Sequence, residues 1–328
     1  MKDFKTFVGI DVSKDTLAFS IYDGKEHIVK EIKYTKAVIT KELIKPFKDK
    51  KDLVLFVMEA TGIYHNKLAN LLYKEGLAVS VVNPFAIKSY AKSRLKRVKT
   101  DKSDSKLISE FAYIFSRDLT LYKPKDKEQK EIDDILKSID DINLINTTLT
   151  NQIKALKEQD VYSKDIVKLK EELLKKNNQI KERLKKLLDK KLKESFTKEY
   201  KLLKAIPGVG LMVSGSIISI FNSFKEFDSA KRACSFIGIA PAPYESGSSV
   251  KRRGSISKRG NPLIRKILYM ATLSAIKHNK TVKEFYERLL QKGKTKMVAL
   301  IAAMNKLLRI IFAVVKHKRE FCENYVRA

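Results

Sequence analysis

The chain has few of the residues that form disulfide bonds or bind transition metals. Its 328 residues include only two cysteines, Cys234 and Cys322, and four histidines. This scarcity excludes a disulfide scaffold, a zinc site of several cysteines, and a c-type haem. The first residues lack the apolar segment of a signal peptide, and no apolar run approaches the ~18 residues that span a bilayer. We therefore expect a cytoplasmic protein with no membrane partner.

Acidic residues are also scarce relative to basic ones. The chain has 68 Lys and Arg against 38 Asp and Glu, a formal net charge of +30. The excess is concentrated in residues 201–328, which hold 25 basic and 7 acidic side chains. Hydrophobic residues make up 44% of the chain, which is enough to form cores and excludes a disordered polyelectrolyte. A strongly basic folded protein most often meets nucleic acid, so we expect a nucleic-acid partner.

The first 118 residues have the pattern of an α/β domain. Five apolar runs predict strands, at 7–10, 16–22, 27–32, 53–58 and 77–82. A helical stretch over about 63–74 ends at Gly76, and Pro84 suits the first turn of a further helix. This order of elements predicts a mixed sheet with helices packed on it.

Residues 119–200 contain no glycine and a single proline. Apolar residues at helical spacing form one stripe over 132–145 and a second over 166–187, which predicts two long helices. We expect them to form an antiparallel coiled-coil arm with a turn near 160–165. The composition fits a solvated spacer as well as an arm that binds protein or nucleic acid.

Four carboxylates stand where functional side chains are commonly found. Asp11 ends the first predicted strand and Glu59 ends the fourth, the usual position for site residues on an open sheet. Asp101 and Asp104 follow Thr100, which can cap a helix, and their spacing puts both on one helix face.

Like charges so placed repel by ~0.3 kcal/mol unless a cation lies between them. Oxygen ligands suit Mg²⁺, and one or two such ions can act on a phosphodiester. A solvated helix start favoured by the helix dipole accounts for Asp101 and Asp104 alone. Together with Asp11 and Glu59, the pattern predicts a magnesium site.

A glycine-containing segment, IPGVG at 206–210, precedes an apolar run. It is typical of a helix-hairpin-helix turn, in which Gly208 and Gly210 let backbone N–H groups approach a phosphate. Such contacts hold the DNA backbone without reading bases. A tight turn between two helices with no ligand accounts for the same residues.

Two basic segments favour contacts with phosphates. Residues 88–106 carry eight Lys and Arg, and residues 251–266 carry seven with no acid. The Gly, Ser and Pro content of the second segment and of 238–249 predicts a flexible basic loop. A serine there can act as a nucleophile if it is activated, or the loop can grip phosphate without covalent chemistry. The candidate phosphate contacts are Lys96, Arg97, Lys99, Lys251, Arg252, Arg253, Lys258 and Arg259.

Six segments resemble, in their sequence and their order along the chain, motifs of the DEDD transposases of bacterial insertion sequences, the "one-ten" group. They are FVGIDVSK at 7–14, MEATG at 58–62, KTDKSD at 99–104, IPGVG at 206–210, GIAP at 238–241 and ISKRGN at 256–261. They occur in the family's order over most of the chain, and this combination is specific although each segment alone is not.

The resemblance implies a RuvC-like, ribonuclease-H-fold domain at 1–118, a helical coiled-coil arm at 119–200, and a mostly helical C-terminal transposase domain at 201–328. Asp11, Glu59, Asp101 and Asp104 would be the metal ligands. The family recombines donor and target DNA under the guidance of a structured bridge RNA. The resemblance also implies a bacterial, nucleoid-associated protein, and we expect a dimer or tetramer.

The resemblance further implies a serine nucleophile that forms a transient phosphoserine link to DNA. Ser246, which precedes Gly247, matches best, with Ser248 and Ser249 as the other candidates. Many relatives have two adjacent hydroxyl residues there, whereas this chain has Glu245 in the first place. Two other functions use the same residues: a metal-dependent, junction-resolving nuclease that attacks with water, and a non-catalytic nucleic-acid-binding protein.

Overall fold

The structure is a computed structural model, which describes residues 3–60, 62–95, 100–246, 250–257 and 260–323. The chain forms two compact units, Met1–Pro124 and Lys125–Ala328, called here the first and second unit. The predicted division into three domains stays a prediction.

The first unit contains a five-stranded mixed sheet, as predicted. Its strands are β1 (Thr6–Val12), β2 (Thr16–Tyr22), β3 (His27–Lys33), β4 (Val54–Glu59) and β5 (Ala78–Val82). They lie in the order β3-β2-β1-β4-β5, with β1, β2 and β3 antiparallel and with β4 parallel to both β1 and β5. β1 and β4 are therefore central, which agrees with their almost uninterrupted burial.

Helices cover both faces of this sheet. One face packs against α2 (Tyr64–Lys74) and a helical segment that begins with α1 (Lys36–Ile39) and continues through a π turn, Thr40–Ile44, and a 3-10 segment, Lys45–Lys50. The opposite face packs against α3 (Pro84–Ser93) and α4 (Asp101–Phe115).

Side chains alternate between faces along a strand, so β1 divides its residues between the two cores. Val8, Ile10 and Val12 face the core that contains α2. Phe7 belongs to the α4 core, and Gly9 and Asp11 share its face.

The second unit begins with two long helices, α5 (Lys127–Lys157) and α6 (Lys164–Ser195). With 31 and 32 residues, they would extend for about 46 and 48 Å at 1.5 Å per residue. They run antiparallel, because Lys191 lies 2.5 Å from Glu131 near one end and Lys157 lies 2.7 Å from Glu171 near the other. Whether they supercoil as a coiled coil stays a prediction.

The apolar stripe predicted on α6 is largely exposed, except for Leu184, which packs against a buried core. Ile166, Leu169, Leu173, Ile180 and Leu187 are all at least 41% exposed. The α6 residues that are buried are Val167, Leu188 and Leu192, and between them the pair joins through amide side chains. Asn177 Nδ2 donates to Asn146 Oδ1 and Asn146 Nδ2 donates to Asn178 Oδ1, both at 3.0 Å.

The rest of the second unit is mostly helical, as predicted, around one large core. Its helices are α7 (Thr197–Lys204), α8 (Leu211–Ser219), α9 (Ala230–Phe236), α10 (Pro262–His278), α11 (Lys280–Gln291) and α12 (Lys296–His317). Both cysteines are free, Cys234 in this core and Cys322 exposed near the end of the described chain.

Within the described residues, α12 is long and apolar enough to cross a bilayer, with a mean hydropathy of 2.1 over an 18-residue window. This corrects the expectation that no apolar stretch approaches that length. Lys306 and Arg309 interrupt the run in the sequence but leave its average high. Over that window 56% of the helix is buried, and Leu307 and Ile311 pack in the core, so the apolar residues have a partner inside the unit.

The segment predicted as a flexible loop contains a β-hairpin instead. β6 (Pro241–Ser246) pairs antiparallel with β7 (Val250–Ile256). Pro241 is the first residue of β6, and Pro243 lies where the register shifts between Ala242 and Tyr244. Proline is compatible with a strand at its first residue or at a bulge, so the prolines did not prevent pairing.

Candidate functional site

Two of the four predicted carboxylates lie side by side at one edge of the sheet. β1 and β4 are parallel, with Ile10 opposite Met58, so the following residues, Asp11 and Glu59, are neighbours that point to the same face. Both are half-buried. The strands here run next to each other in the same direction, so their carboxyl ends meet where an open sheet commonly places its site.

The other two carboxylates lie in the first turn of α4. Thr100 caps this helix: its hydroxyl accepts from the Ser103 amide at 3.2 Å, and the Ser103 hydroxyl accepts from the Thr100 amide at 2.9 Å. Asp101 is exposed and Asp104 is half-buried. The positive end of the helix dipole stabilises carboxylates in this turn.

The absence of a side chain at Gly9 lets α4 cross β1 in direct backbone contact. A Cβ atom built at Gly9 would lie 2.2 Å from the Ser109 amide nitrogen and 2.4 Å from the Ser105 carbonyl oxygen. Asp11 is two residues along β1 on the same face, and Asp101 is one helical turn before Ser105. The close approach therefore places the start of α4 beside Asp11.

The electrostatics of Asp11 reflect this convergence. Its pKa is raised from 3.8 to about 6, first by burial and then by the negative charges of Asp101, Asp104 and Glu59, in that order. A hydrogen bond from the Val12 amide opposes the rise only in part. The four carboxylates thus form one electrostatically coupled cluster.

The cluster suits a divalent cation by its chemistry. Carboxylate oxygens are the ligands that Mg²⁺ prefers, and an added positive charge would relieve the repulsion that raises the Asp11 pKa. Within the described ranges, no three His, Cys, Asp or Glu side chains already stand at the spacing of a metal-ion site. Binding an ion at this cluster would therefore require its carboxylates to move closer together.

The glycine turn of the second unit connects α7 to α8. Gly208 has a φ of +92°, and a Cβ there would lie 2.6 Å from the Ala275 Cβ on α10. Asn279, which is fully buried, donates to the Pro207 carbonyl at 3.3 Å. These contacts explain Gly208 as a packing residue. Gly210 meets nothing within 4 Å, so packing does not explain it.

A cavity of about 670 Å³ lies beside this turn. Its lining includes the turn, the start of α8, Asp140 and Asn143 of α5, and apolar residues of α10, together with three lysines that sequence reasoning did not single out: Lys185, Lys204 and Lys266. They are distant in the sequence and meet only through the packing of α6, α7 and α10. No local pattern could have found them.

The remaining predicted residues lie partly outside the described structure. Ser246 ends β6, and Lys251, Arg252 and Arg253 lie on β7, where the backbone is described. Tyr244 pairs with Arg252, and Glu245 pairs with Lys251. Outside the described residues are Lys96, Arg97, Lys99, Ser248, Ser249, Lys258 and Arg259.

Two family matches cover separate parts of the chain. Residues 8–159 match a DEDD transposase family of IS110 elements, and residues 200–287 match the transposase IS116/IS110/IS902 family. The first match contains all four clustered carboxylates, and the second contains the glycine turn and the hairpin. Together they account for nearly three quarters of the chain.

Curated relatives extend over almost the whole chain. A pilin gene-inverting protein of Moraxella lacunata is 27% identical over 322 residues, which is 97% of this chain and 98% of that protein. A transposase for insertion sequence element IS1111A of Coxiella burnetii is 25% identical over 355 residues, which is 98% of this chain and 92% of that protein.

Among solved structures, T. thermophilus RuvC in complex with a Holliday junction substrate matches 36% of this chain and 99% of its own. The TM-score is 0.28 at 11% identity, which is too low to establish a shared fold.

Proposed function

Because the chain belongs to the IS110/IS116/IS902 family of transposases, we propose that it cuts and rejoins DNA by magnesium-dependent phosphoryl transfer at the Asp11 cluster. The enzyme is a DNA transposase or recombinase, and its substrate is DNA. The observation that carries the proposal is the coupling of Asp11 to Asp101, Asp104 and Glu59, three carboxylates from two other elements. We also propose that the first unit has the RuvC-like fold.

The four carboxylates would hold one or two magnesium ions. Bound Mg²⁺ would neutralise charge on the phosphate and make an attacking hydroxyl easier to deprotonate. Asp11 and Glu59 supply ligands fixed by buried strands, and Asp101 and Asp104 supply ligands from a capped helix. Phosphoryl transfer depends chiefly on positioning and charge neutralisation, which such a site provides.

Ser246 is our candidate nucleophile. Its hydroxyl oxygen forms a bond to phosphorus, its proton passes to a nearby base, and the bond from phosphorus to one deoxyribose oxygen breaks. The released sugar oxygen takes up a proton. In rejoining, a sugar hydroxyl of the second DNA end attacks the phosphoserine and restores the serine. One phosphodiester replaces another, so the exchange needs no nucleoside triphosphate.

The basic residues around this serine would hold the DNA backbone. Arg252 and Lys251 lie opposite Tyr244 and Glu245 in the hairpin, within a few residues of Ser246. Arginine grips phosphate oxygens bidentately, and lysine acts as a point charge. We assign Arg253, Lys258, Arg259, Lys96, Arg97 and Lys99 the same role, and Gly208 and Gly210 the role of a backbone contact.

A structured guide RNA and a second copy of the chain complete the proposal. The excess of basic residues suits RNA as well as DNA, and the six motifs resemble those of RNA-guided family members. The exposed apolar stripe on α6 would let two or four copies associate. The relative named for inverting a pilin gene supports recombination between sites in one DNA. Such a protein would act in the cytoplasm at the nucleoid.

A denaturing gel tests the serine directly. Protein, Mg²⁺, guide RNA and labelled DNA should give a protein–DNA adduct that survives denaturation. Ser246→Ala should remove the adduct and leave DNA binding intact, whereas Ser248→Ala and Ser249→Ala, the matched controls, should retain it. If Ser246→Ala recombines normally, the assignment is wrong.

The same gel distinguishes hydrolysis. Cleavage that survives Ser246→Ala, Ser248→Ala and Ser249→Ala together but is lost in Asp11→Asn would identify a nuclease that attacks with water. Retention of all function in Asp101→Asn/Asp104→Asn would identify a binding protein with no catalysis.

A further inference from the structure

A chain of polar side chains ties α4 to β2 and β3 in the first unit. The Ser20 hydroxyl on β2 lies 2.9 Å from His27 Nδ1 on β3, and the Ser109 hydroxyl on α4 donates to Ser20 Oγ at 3.2 Å. The other imidazole nitrogen, Nε2, lies 3.6 Å from Glu110 Oε1 on α4. Arg94 lies 3.5 Å from the second oxygen of Glu110. Two adjacent residues of α4 thus contact one histidine on opposite sides.

The hydrogen-bonding groups of Ser20, His27, Ser109 and Glu110 all find partners in either of two proton arrangements. When Nε2–H faces Glu110, His27 Nδ1 accepts from Ser20, and Ser20 accepts from Ser109. When Nδ1 also carries a proton, it donates to Ser20, Ser20 donates to Ser109, and Ser109 donates to the Lys106 carbonyl at 2.8 Å. A buried network with no unsatisfied group holds its geometry firmly.

The two serines of this hydrogen-bonded network are buried. Ser20 and Ser109 are both 0% exposed, so water cannot replace a lost partner. Truncating either hydroxyl removes the bond that joins α4 to β2, although the serine that remains keeps its other partner, which is His27 for Ser20 and the Lys106 carbonyl for Ser109. The hydrogen bond between the two serines is therefore one of the polar contacts that join α4 to the antiparallel half of the sheet.

Aromatic rings brace the histidine from its face. Tyr22 stacks on His27 with ring centroids 4.2 Å apart and planes 12° apart. Tyr113, one helical turn after Ser109, meets Tyr22 edge-on at 5.5 Å and Phe7 edge-on at 5.5 Å. The ring is thus fixed in its plane by hydrogen-bond partners and across its plane by packing.

The same part of α4 makes the close contact with β1. The Ser109 amide is the atom that a Cβ at Gly9 would meet at 2.2 Å. Asp101 is eight residues earlier in the same helix, about 12 Å along its axis. A small rotation of α4 at Ser109 would therefore move Asp101 and Asp104 relative to Asp11.

We propose that Ser20, His27, Ser109 and Glu110 are positioning residues that hold α4 where Asp101 and Asp104 meet Asp11. The role in metal binding rests on the proposed function, because it takes these carboxylates as the metal ligands. The four residues act through the helix and do not contact the reacting atoms. Partners outside the ligands commonly change metal affinity 10- to 100-fold.

Ser109→Ala in the full-length chain tests the proposal, with Ser116→Ala as the matched control. Ser116 is a second serine at the end of α4, bonded to the carbonyl three residues earlier, the Tyr113 oxygen at 3.4 Å, and has no link to β2. In the metal-free protein, we expect amide hydrogen exchange over 101–109 to rise about tenfold in Ser109→Ala and to stay unchanged in the control.

A second readout uses Mn²⁺ alone. The Mn²⁺ concentration that gives half of the maximal thermal stabilisation should rise at least about tenfold in Ser109→Ala and not in Ser116→Ala. His27→Asn supplies a rescue arm, because its amide falls near the position of Nδ1 and can bond to Ser20. It should recover most of what His27→Ala loses.

Equal hydrogen exchange over 101–109 in Ser109→Ala and Ser116→Ala would overturn the proposal. The proposal would also be overturned if His27→Ala matched wild type both in hydrogen exchange over 101–109 and in the Mn²⁺ midpoint. If Ser109→Ala fails to fold, the His27→Ala and His27→Asn pair makes the same comparison at a less buried position. An unchanged Mn²⁺ midpoint in Asp11→Asn would instead sink the proposed metal site, while the exchange measurement still decides whether the polar chain positions α4.

Discussion

The two units hold their candidate functional residues in different ways. In the first unit, Asp11 and Glu59 end buried strands, and Asp101 and Asp104 begin a capped helix that touches the backbone of β1. In the second unit, Ser246 ends a strand of a two-stranded hairpin. The acids thus lie on strands of a packed sheet and on a capped helix, whereas the serine lies at the end of a strand in a two-stranded sheet.

The difference suggests how each set of functional residues is positioned for its chemistry. The fold sets the backbone positions of the acidic cluster, and burial, followed by the negative charges of Asp101, Asp104 and Glu59, raises the pKa of Asp11 to about 6. Residues 201–328 carry most of the net charge, and we expect DNA or RNA to bind the basic hairpin segment within them. Substitution of an acid in the first unit should therefore weaken metal binding, and substitution of a basic residue of the hairpin in the second unit should weaken nucleic-acid binding.

The largest expected effect is on catalysis. Asp11→Asn removes the central carboxylate of the cluster and should lower the rate of strand cleavage at least about 1000-fold, because the metal site loses a ligand. Asp15→Asn, an exposed carboxylate four residues later, should stay within twofold of wild type. Both should bind DNA equally in a gel-shift assay. Cleavage by Asp11→Asn at the wild-type rate would contradict the account.

Gly9→Ala should separate packing from charge in the first unit. The new methyl group would lie 2.2 Å from the backbone of α4, so the helix must shift, and we expect a loss of about 3 kcal/mol in the free energy of unfolding. Urea unfolding measures it. Metal binding should weaken as well, since Asp101 and Asp104 move with the helix. An Ala variant as stable as wild type would mean that α4 does not approach β1 this closely.

Two glycines of the 206–210 turn sharpen the comparison in the second unit. Gly208→Ala should cost about 2 kcal/mol, because φ is +92° and Ala275 is in the way. Gly210→Ala meets nothing within 4 Å and should unfold like wild type. If the turn holds a phosphate, Gly210→Ala alone should weaken DNA binding without loss of stability. Wild-type DNA affinity in Gly210→Ala would leave the turn as a packing feature.

The smallest expected effect is the pH dependence of stability. The folded state favours the protonated form of Asp11, so its contribution to the free energy of unfolding is full below pH 3.8 and is lost as the pH rises through about 6. After allowance for solvent access, we expect metal-free wild type to lose about 1 kcal/mol relative to Asp11→Asn between pH 4 and 7. Parallel profiles for the two proteins would show that Asp11 is not strained.

Much of the first unit could be predicted because its buried strands appear in the sequence as regular apolar runs. The apolar runs of β1 and β4 stand out, and an acid directly after each run has to lie at the edge of the sheet. Thr100 marked the start of α4, so Asp101 and Asp104 fell on one turn. The approach of this turn to Asp11 is a tertiary fact, which the sequence alone only suggested.

Other features could not be predicted because they depend on distant partners. The Ser20 to His27 contact exists through the antiparallel register of β2 and β3, and Ser109 joins it from 82 residues beyond His27. The hairpin from Pro241 forms despite a composition typical of loops. The stripe on α6 has helical spacing, but amide pairs around Asn146 join the helices where apolar contacts were expected.

The central claim is that Asp11, Glu59, Asp101 and Asp104 act as one metal site. Calorimetric titration of the DNA-free protein with Mn²⁺ tests it most directly, with each acid changed in turn to its amide and Asp15→Asn as control. The account predicts that all four changes weaken binding by about tenfold or more, and that the control binds as wild type does. Equal affinity in wild type and the four variants would contradict it.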